Sequence, residues 1–377
     1  MLLNNGIITC PQYFSRKTIL LTGNLIESVE MIEIRPMTID DLELGLRLAR
    51  QAGWNQTESD WQRFMSLEPG GCFVGELDGC SVGTTTTCIF GRVAWIAMVL
   101  VDVNARGKGV GTRLLKYCLD YLESQMANRK SQITIRLDAT PAGQPIYEKL
   151  GFVPEYKLAR FEGTPVLHGS KATEGTAPAG RPRSSPPPAG GDRRRAWEPG
   201  TEALVTRATR EIFASIIEFD KRMTGTNRGK MLSKLFEEFP ENIRVRCRGD
   251  RIEGFVTMRP GTNAIQIGPC IARLPRGSSV GQATGRPARR TSGGPDAPGT
   301  PGWEPAMSAG QALLSDALGR CAGKPVFVDI PLDNKEAVKV AESSGLKIQR
   351  YFMRMCRGER VKDNIKALWA SSGPEKG

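Results

Sequence analysis

An apolar run at residues 94–103 feeds into Arg106-Gly107-Lys108-Gly109-Val110-Gly111-Thr112, and no other stretch restricts the possible folds so much. The run reads as a buried strand. Residues 110–125 read as a helix, because Leu114, Leu115, Cys118 and Leu122 recur at helical spacing. A strand turning through glycines into a helix offers unpaired backbone N–H groups at the positive end of the helix dipole, which suits a phosphate or diphosphate. Three phosphate-binding patterns compete for this turn. The Walker spacing GxxxxGK[ST] does not occur. The dinucleotide pattern GxGxxG fails at Thr112, where its third glycine belongs. The pattern [RQ]xxGx[GA] is met by Arg106, Gly109 and Gly111.

Downstream, an apolar strand at 133–137 leads through Asp138 to Tyr147-Glu148-Lys149-Leu150-Gly151-Phe152. The loop and this YEKLGF ending together resemble the GNAT acetyltransferases, over about residues 31–168. The resemblance implies an acetyl-CoA-dependent N-acetyltransferase in which a primary amine attacks directly, with no enzyme nucleophile and no metal. It implies that Arg106, Gly107, Lys108, Gly109, Val110, Gly111 and Thr112 hold the diphosphate of acetyl-CoA. It also implies that backbone groups of Val99, Leu100 and Val101 bond the pantetheine arm, and that Tyr147 protonates the departing thiolate. A phenol, with an ordinary pKa of about 10, keeps a proton to give near neutral pH.

The rest of the first domain fits that order. Residues 31–36 read as an opening strand. Thr38 with Asp41, and Thr57 with Asp60, have capping-box spacing and predict helices over 39–52 and 58–67. Strands at 73–76 and 81–90 flank the turn Leu77-Asp78-Gly79. The acceptor pocket of this fold lies between the first two helices and the late strands. The turn Gly53-Trp54-Asn55-Gln56 is therefore expected either to wall that pocket, with Asn55 or Gln56 orienting a polar acceptor, or simply to cover the core. The general base stays open among Asp60, Glu76, Asp102, Asp138 and a water chain. His168, the single histidine, stands at the domain edge beside a linker.

The length of 377 residues predicts more than one domain. Residues 1–30 read as an N-terminal extension, 31–168 as the GNAT domain and 169–200 as a disordered, Pro/Gly/Arg-rich linker. The pattern then restarts over 201–360, with a disordered insertion at 273–303, and 361–377 form a C-terminal tail. Val326-Phe327-Val328-Asp329 repeats Ile135-Arg136-Leu137-Asp138, and Gly345-Leu346 repeats Gly151-Phe152. Aligned on those glycines, the second copy has Ala341 where the first has Tyr147, and it lacks [RQ]xxGx[GA]. The fold expected is α/β: two tandem GNAT-like domains, each a mixed, mostly antiparallel sheet flanked by helices. The second is a divergent copy without acetylating machinery. A non-catalytic acyl-CoA-binding or sensing protein is the alternative function.

The formal charge of +12 invites a nucleic-acid partner, but residues 171–200 carry six basic and three acidic side chains and 273–303 carry five and one. Most of the excess lies outside the expected folded domains, so the expected partner is a small-molecule or peptide amine, with a homodimer allowed for. The nine cysteines lack CxxC spacing, and no 18-residue apolar stretch spans a membrane. A cytoplasmic setting is expected.

Overall fold

The structure, a computed structural model, describes residues 31–129, 132–166, 204–274 and 307–373, plus a short ribbon, Leu20–Leu21 with Asn24–Leu25. The linker 169–200, His168 and nearly all of the insertion 273–303 lie outside the described residues, as does most of 1–30.

The first copy opens with β1 (Ile32–Pro36), α1 (Leu42–Gln51) and α2 (Glu58–Leu67). Both capping boxes form: the Thr38 N–H donates to Asp41 Oδ2 at 2.8 Å and the Thr57 N–H to Asp60 Oδ2 at 3.0 Å. The strands β2 (Cys72–Leu77), β3 (Cys80–Phe90) and β4 (Val93–Val101) follow as an antiparallel meander. Then come α3 (Val110–Arg129), β5 (Thr134–Ala139), α4 (Gln144–Lys149) and β6 (Val153–Gly163). Gly75 and Gly83 set how closely α3 lies on the sheet. A Cβ at either would come within 2.9–3.0 Å of Val110 or Leu114.

The second copy repeats this order as β7 (Val205–Arg207), α5 (Arg210–Thr224), α6 (Gly229–Glu238), β8 (Ile243–Arg248), β9 (Arg251–Arg259) and β10 (Ile265–Ala272). It continues with α7 (Ala309–Arg320), β11 (Val326–Pro331), α8 (Lys335–Ser343) and β12 (Lys347–Arg357). The segment read as a tail contributes a further strand, β13 (Leu368–Ala370).

Among the described residues, the thirteen numbered strands form one sheet apart from the short ribbon, in the order β1-β2-β3-β4-β5-β12-β6-β11-β10-β9-β8-β7, with β13 on β10. Among the described residues only β4–β5 and β10–β11 pair in parallel. The copies have exchanged their last long strands: β12 lies against β5, and β6 lies against β11. At the centre, β6 and β12 pair antiparallel with Leu158 facing Phe352. On one side Arg160 faces Arg350 and on the other Tyr156 faces Arg354, so an internal two-fold relation passes between the strands.

A matched pair of buried ion pairs fastens the exchange. Arg354 on β12 donates from Nε and Nη2 to the two oxygens of Asp138 on β5, at 2.8 and 2.9 Å. Arg160 on β6 grips Asp329 on β11 in the same way, at 2.8 Å twice. Fork-to-fork geometry satisfies both carboxylate oxygens at once, which a buried pair requires.

The two halves also share a core. Met231 and Leu235 of α6 pack with Trp61, Phe64 and Trp95 of the first copy. Arg259 at the end of β9 donates to the buried Asp60 at 2.8 Å. Arg63 of α2 pairs with both Asp60 and Glu238. Among the described cysteines, Cys80 is disulfide-bonded and the other seven are free.

Candidate active site

The glycine turn sits where the carboxyl end of β4 meets α3. Arg106, Gly107, Lys108 and Gly109 are exposed, Val110 is buried, and Gly111 and Thr112 are half-buried. Gly107 and Gly109 have φ of +80° and +89°, a region that favours glycine. The turn delivers the first N–H groups of α3 to the surface beside these glycines, as an anion cradle requires. Arg106 folds back, its Nε donating to the Val101 carbonyl at 3.2 Å.

Beside the turn the sheet opens. The parallel pairing of β4 with β5 stops at Trp95 and Arg136, although β4 continues to Val101. The register of β4 with β3 shifts between Thr84 and Thr86, and Met98 has φ +49° there, marking a β-bulge. Among the described residues the edge of β4 from Ile96 to Val101 has no strand partner on the β5 side. Val99 and Val101 are half-buried and Leu100 is buried.

Tyr147, near the end of the short α4, packs its ring edge-on against Phe152 at 5.9 Å. Burial, with a smaller contribution from Cys118, pushes its phenol well above the ordinary tyrosine range, so it holds its proton. The helix closes with a Phe152 N–H bond to the Tyr147 carbonyl at 3.1 Å, and Gly151 in the left-handed region. The second copy repeats this closure with Leu346 N–H on the Ala341 carbonyl, also at 3.1 Å, and Gly345 left-handed. The alignment of Ala341 with Tyr147 therefore holds at the level of backbone hydrogen bonds.

The candidate bases are all engaged elsewhere. Asp60 is bonded to Thr57, Arg63 and Arg259, and Glu76 to Arg35. Both oxygens of Asp138 belong to Arg354. Burial pushes the Asp102 carboxyl up, but the Asn104 amide, Arg47 and Gln51 outweigh it and hold it below the usual carboxylate range. These are structural carboxylates. The acceptor turn also needs correction. Asn55 is buried, accepting from the Asn263 and Ala264 amides at 2.9 and 3.0 Å and donating to the Ala264 carbonyl at 3.0 Å. Gln56 is buried as well, and its carbonyl accepts from Thr262 Oγ1 at 2.7 Å. The end of the β9–β10 hairpin uses this turn as its docking point, so Asn55 does not orient an acceptor. Trp54 remains half-buried at the edge.

In the second copy the corresponding gap is filled from within. β10 pairs with β11 from Ile265 to Ile267. Beyond that, Cys270 and Ile271 pair antiparallel with Ala370 and Leu368 of β13. Matching the hairpin registers places Cys270, Ile271 and Ala272 at the positions of Val99, Leu100 and Val101. The edge left without a strand in the first copy is thus covered by β13 in the second, and Trp369 is buried there.

Residues 37–152 match the model of the acetyltransferase (GNAT) family, and residues 216–279 match that of an acetyltransferase (GNAT) domain. The chain is a tandem GNAT protein. Its curated relatives include the holothin acyltransferase of Pseudoalteromonas sp. (strain SANK 73390), 23% identical over 262 residues, or 65% of this chain and 76% of the relative. The uncharacterized N-acetyltransferase YitH of Bacillus subtilis (strain 168) is 32% identical over 125 residues, 33% of this chain and 40% of that protein. A putative acetyltransferase from Pyrococcus horikoshii superposes with a TM-score of 0.62 at 19% identity, covering 96% of this chain and 99% of that one. A GCN5-related N-acetyltransferase from Sphaerobacter thermophilus gives 0.54 at 15% identity, covering 89% and 98%. At these identities the structural likeness shows the shared fold. Among the described residues of this GNAT protein, no helix is long and apolar enough to cross a membrane, and no cluster of three or more His, Cys, Asp or Glu side chains could hold a metal.

The paired Asp138–Arg354 and Asp329–Arg160 bridges were not anticipated. A signal existed: each arginine stands nine residues after the repeated glycine of its copy, Gly151 or Gly345, and each aspartate ends the repeated apolar run.

Proposed function

We propose that the first copy is an acetyl-CoA-dependent N-acetyltransferase acting on a primary amine, and that the second copy does not acetylate. One observation carries this reading. The glycine turn, the open edge of β4 and Tyr147 all belong to the first copy, whereas the second has Ala341 for the tyrosine and β13 along the matching edge.

The turn from Arg106 to Thr112 would hold the diphosphate, and the β4 edge at Val99–Val101 would bond the pantetheine. The bound thioester supplies an activated acetyl group. The amine nitrogen attacks the carbonyl carbon, forming the amide bond as the C–S bond breaks. Its surplus proton passes to water, in keeping with the absence of an unengaged carboxylate among the candidates. Tyr147 gives its proton to the departing sulfur and recovers one from solvent. A phenol raised above its ordinary value stays protonated up to about pH 10 and beyond, so Tyr147 imposes no descending limb between pH 7 and 9.5.

Calorimetric titration with acetyl-CoA is expected to give one site per chain; two sites would overturn the division of labour between the copies. Tyr147→Phe is expected to lower kcat by about a hundredfold with near-unchanged acetyl-CoA affinity. Full turnover in that variant would remove Tyr147 as the acid. Binding with no thiol release from any amine would instead favour acyl-CoA sensing.

A further inference from the structure

The strand exchange brings a side chain of the second copy against the α1–α2 turn of the first. The last β5–β12 pair is Ala139 with Met353, so Arg350 lies beyond the carboxyl end of β5. That is the end at which the parallel pair β4–β5 opens, and α/β sheets receive ligands at the carboxyl ends of such strands. Arg350 reaches across to the α1–α2 turn, its Nη2 donating to the Gly53 carbonyl at a long 3.4 Å. The same end of α1 is tied to the residue after β4, because Arg47 and Gln51 both donate to Asp102. Hydrogen bonds therefore link the turn, the residue after β4 and Arg350 in one corner of the molecule, and Trp54 of that turn is half-buried.

Arg350 differs from the other inward arginines of the two exchanged strands. Arg354 and Arg160 each hold a carboxylate in a two-pronged grip. Arg350 is half-buried, its Nε donates only to the neutral amide of Gln349 at 2.9 Å, and no ion pair to it exists among the described residues. Burial, and next the neighbouring Arg160, pull its guanidinium below the ordinary arginine range, although it stays charged. Its two-fold counterpart, Tyr156, is buried and neutral, and accepts from Arg354. Asp329 and Glu162 oppose that shift only from a distance, without a direct ion pair to Arg350 among the described residues. A half-desolvated cation whose guanidinium touches no carboxylate is complementary to an anion.

We propose that Arg350 is the acceptor-recognition residue, selecting amines that carry a carboxylate. The second copy then contributes specificity to chemistry performed in the first. This rests on the acetyltransferase reading, and the test separates the two. Glycine, β-alanine and glutamate are compared with their carboxamides, once by thiol release with acetyl-CoA and once by calorimetric titration into the CoA-loaded protein. The wild type is expected to prefer the carboxylates. Arg350→Gln should raise KM and Kd for the carboxylates about ten- to hundredfold, as loss of a charged hydrogen bond does, while the carboxamides and acetyl-CoA keep their affinity. Arg350→Lys should recover part of the loss, and Arg350→Glu should reverse the preference. Equal treatment of carboxylates and carboxamides by the wild type, or an equal loss for both in Arg350→Gln, overturns the proposal while leaving acetyl transfer standing. Carboxylate binding that depends on Arg350, with no thiol release from any amine, upholds it and overturns acetyl transfer.

Discussion

Arg354→Met is expected to destabilise the protein by about 3–5 kcal/mol, measured as a shift in urea midpoint at unchanged slope. The substitution keeps an unbranched apolar stem and removes the guanidinium, and with it the charge, the donors and the contact with Trp95 and Tyr156. It leaves the Asp138 carboxylate buried at the β5–β12 seam with neither oxygen satisfied. It also uncovers the Tyr156 hydroxyl, which accepts from Arg354 at 2.7 Å, and removes a cation from the face of Trp95, 4.8 Å from the ring centre. Arg160→Met should behave alike, because Asp329 is held in the same two-pronged way. The combination Arg354→Met with Asp138→Leu should recover most of the single loss, since replacing both partners of a buried pair by apolar groups is often nearly neutral. Single variants that each cost under about 1 kcal/mol, the figure for exposed pairs, would mean that the two bridges do not hold the exchanged strands.

The local elements were legible because their signals are local. Helical spacing gave α3, capping boxes started the first two helices, and the Asp78-Gly79 turn set the β2–β3 hairpin. The repeat was legible too, and the backbone closures at Gly151 and Gly345 agree with the alignment read from the residues. Pairing across the copies was not. Nothing in the alternating pattern of β6 or β12 specifies which sheet the strand joins, because either gives its inward side chains an equivalent environment. The internal two-fold relation makes the exchanged and unexchanged arrangements nearly the same in local contacts. The Trp54-Asn55-Gln56 turn leaves two readings open in the sequence for a related reason. Polar residues at a turn suit either a substrate or another backbone, and only the position of residues 262–264 decides for the backbone. β13 was missed because Leu368-Trp369-Ala370 is too short to register as a strand by periodicity.

Gly109→Ser is expected to weaken acetyl-CoA binding about 5- to 150-fold in a calorimetric titration, and Gly109→Val by more. Gly109 has φ +89°, and a side chain forced into such a conformation costs about 1–3 kcal/mol. Space is not the obstacle, since the nearest atom to an added Cβ is Ile32 Cδ1 at 3.8 Å. The penalty therefore comes from the backbone, and a small residue incurs it as well as a large one. Valine adds a branched Cβ, which further narrows the conformations open to the turn. The chain's own sequence motivates serine: Arg276-Gly277-Ser278-Ser279-Val280-Gly281 keeps the arginine, the valine and both outer glycines of Arg106–Gly111 but has serine at the central glycine. The same half of the chain has Ala341 in place of the tyrosine and β13 along its β10 edge. If Gly109→Ser binds acetyl-CoA within about twofold of the wild type, the glycine is not what separates the copies. The difference would then rest on Tyr147 and on the strand that covers β10.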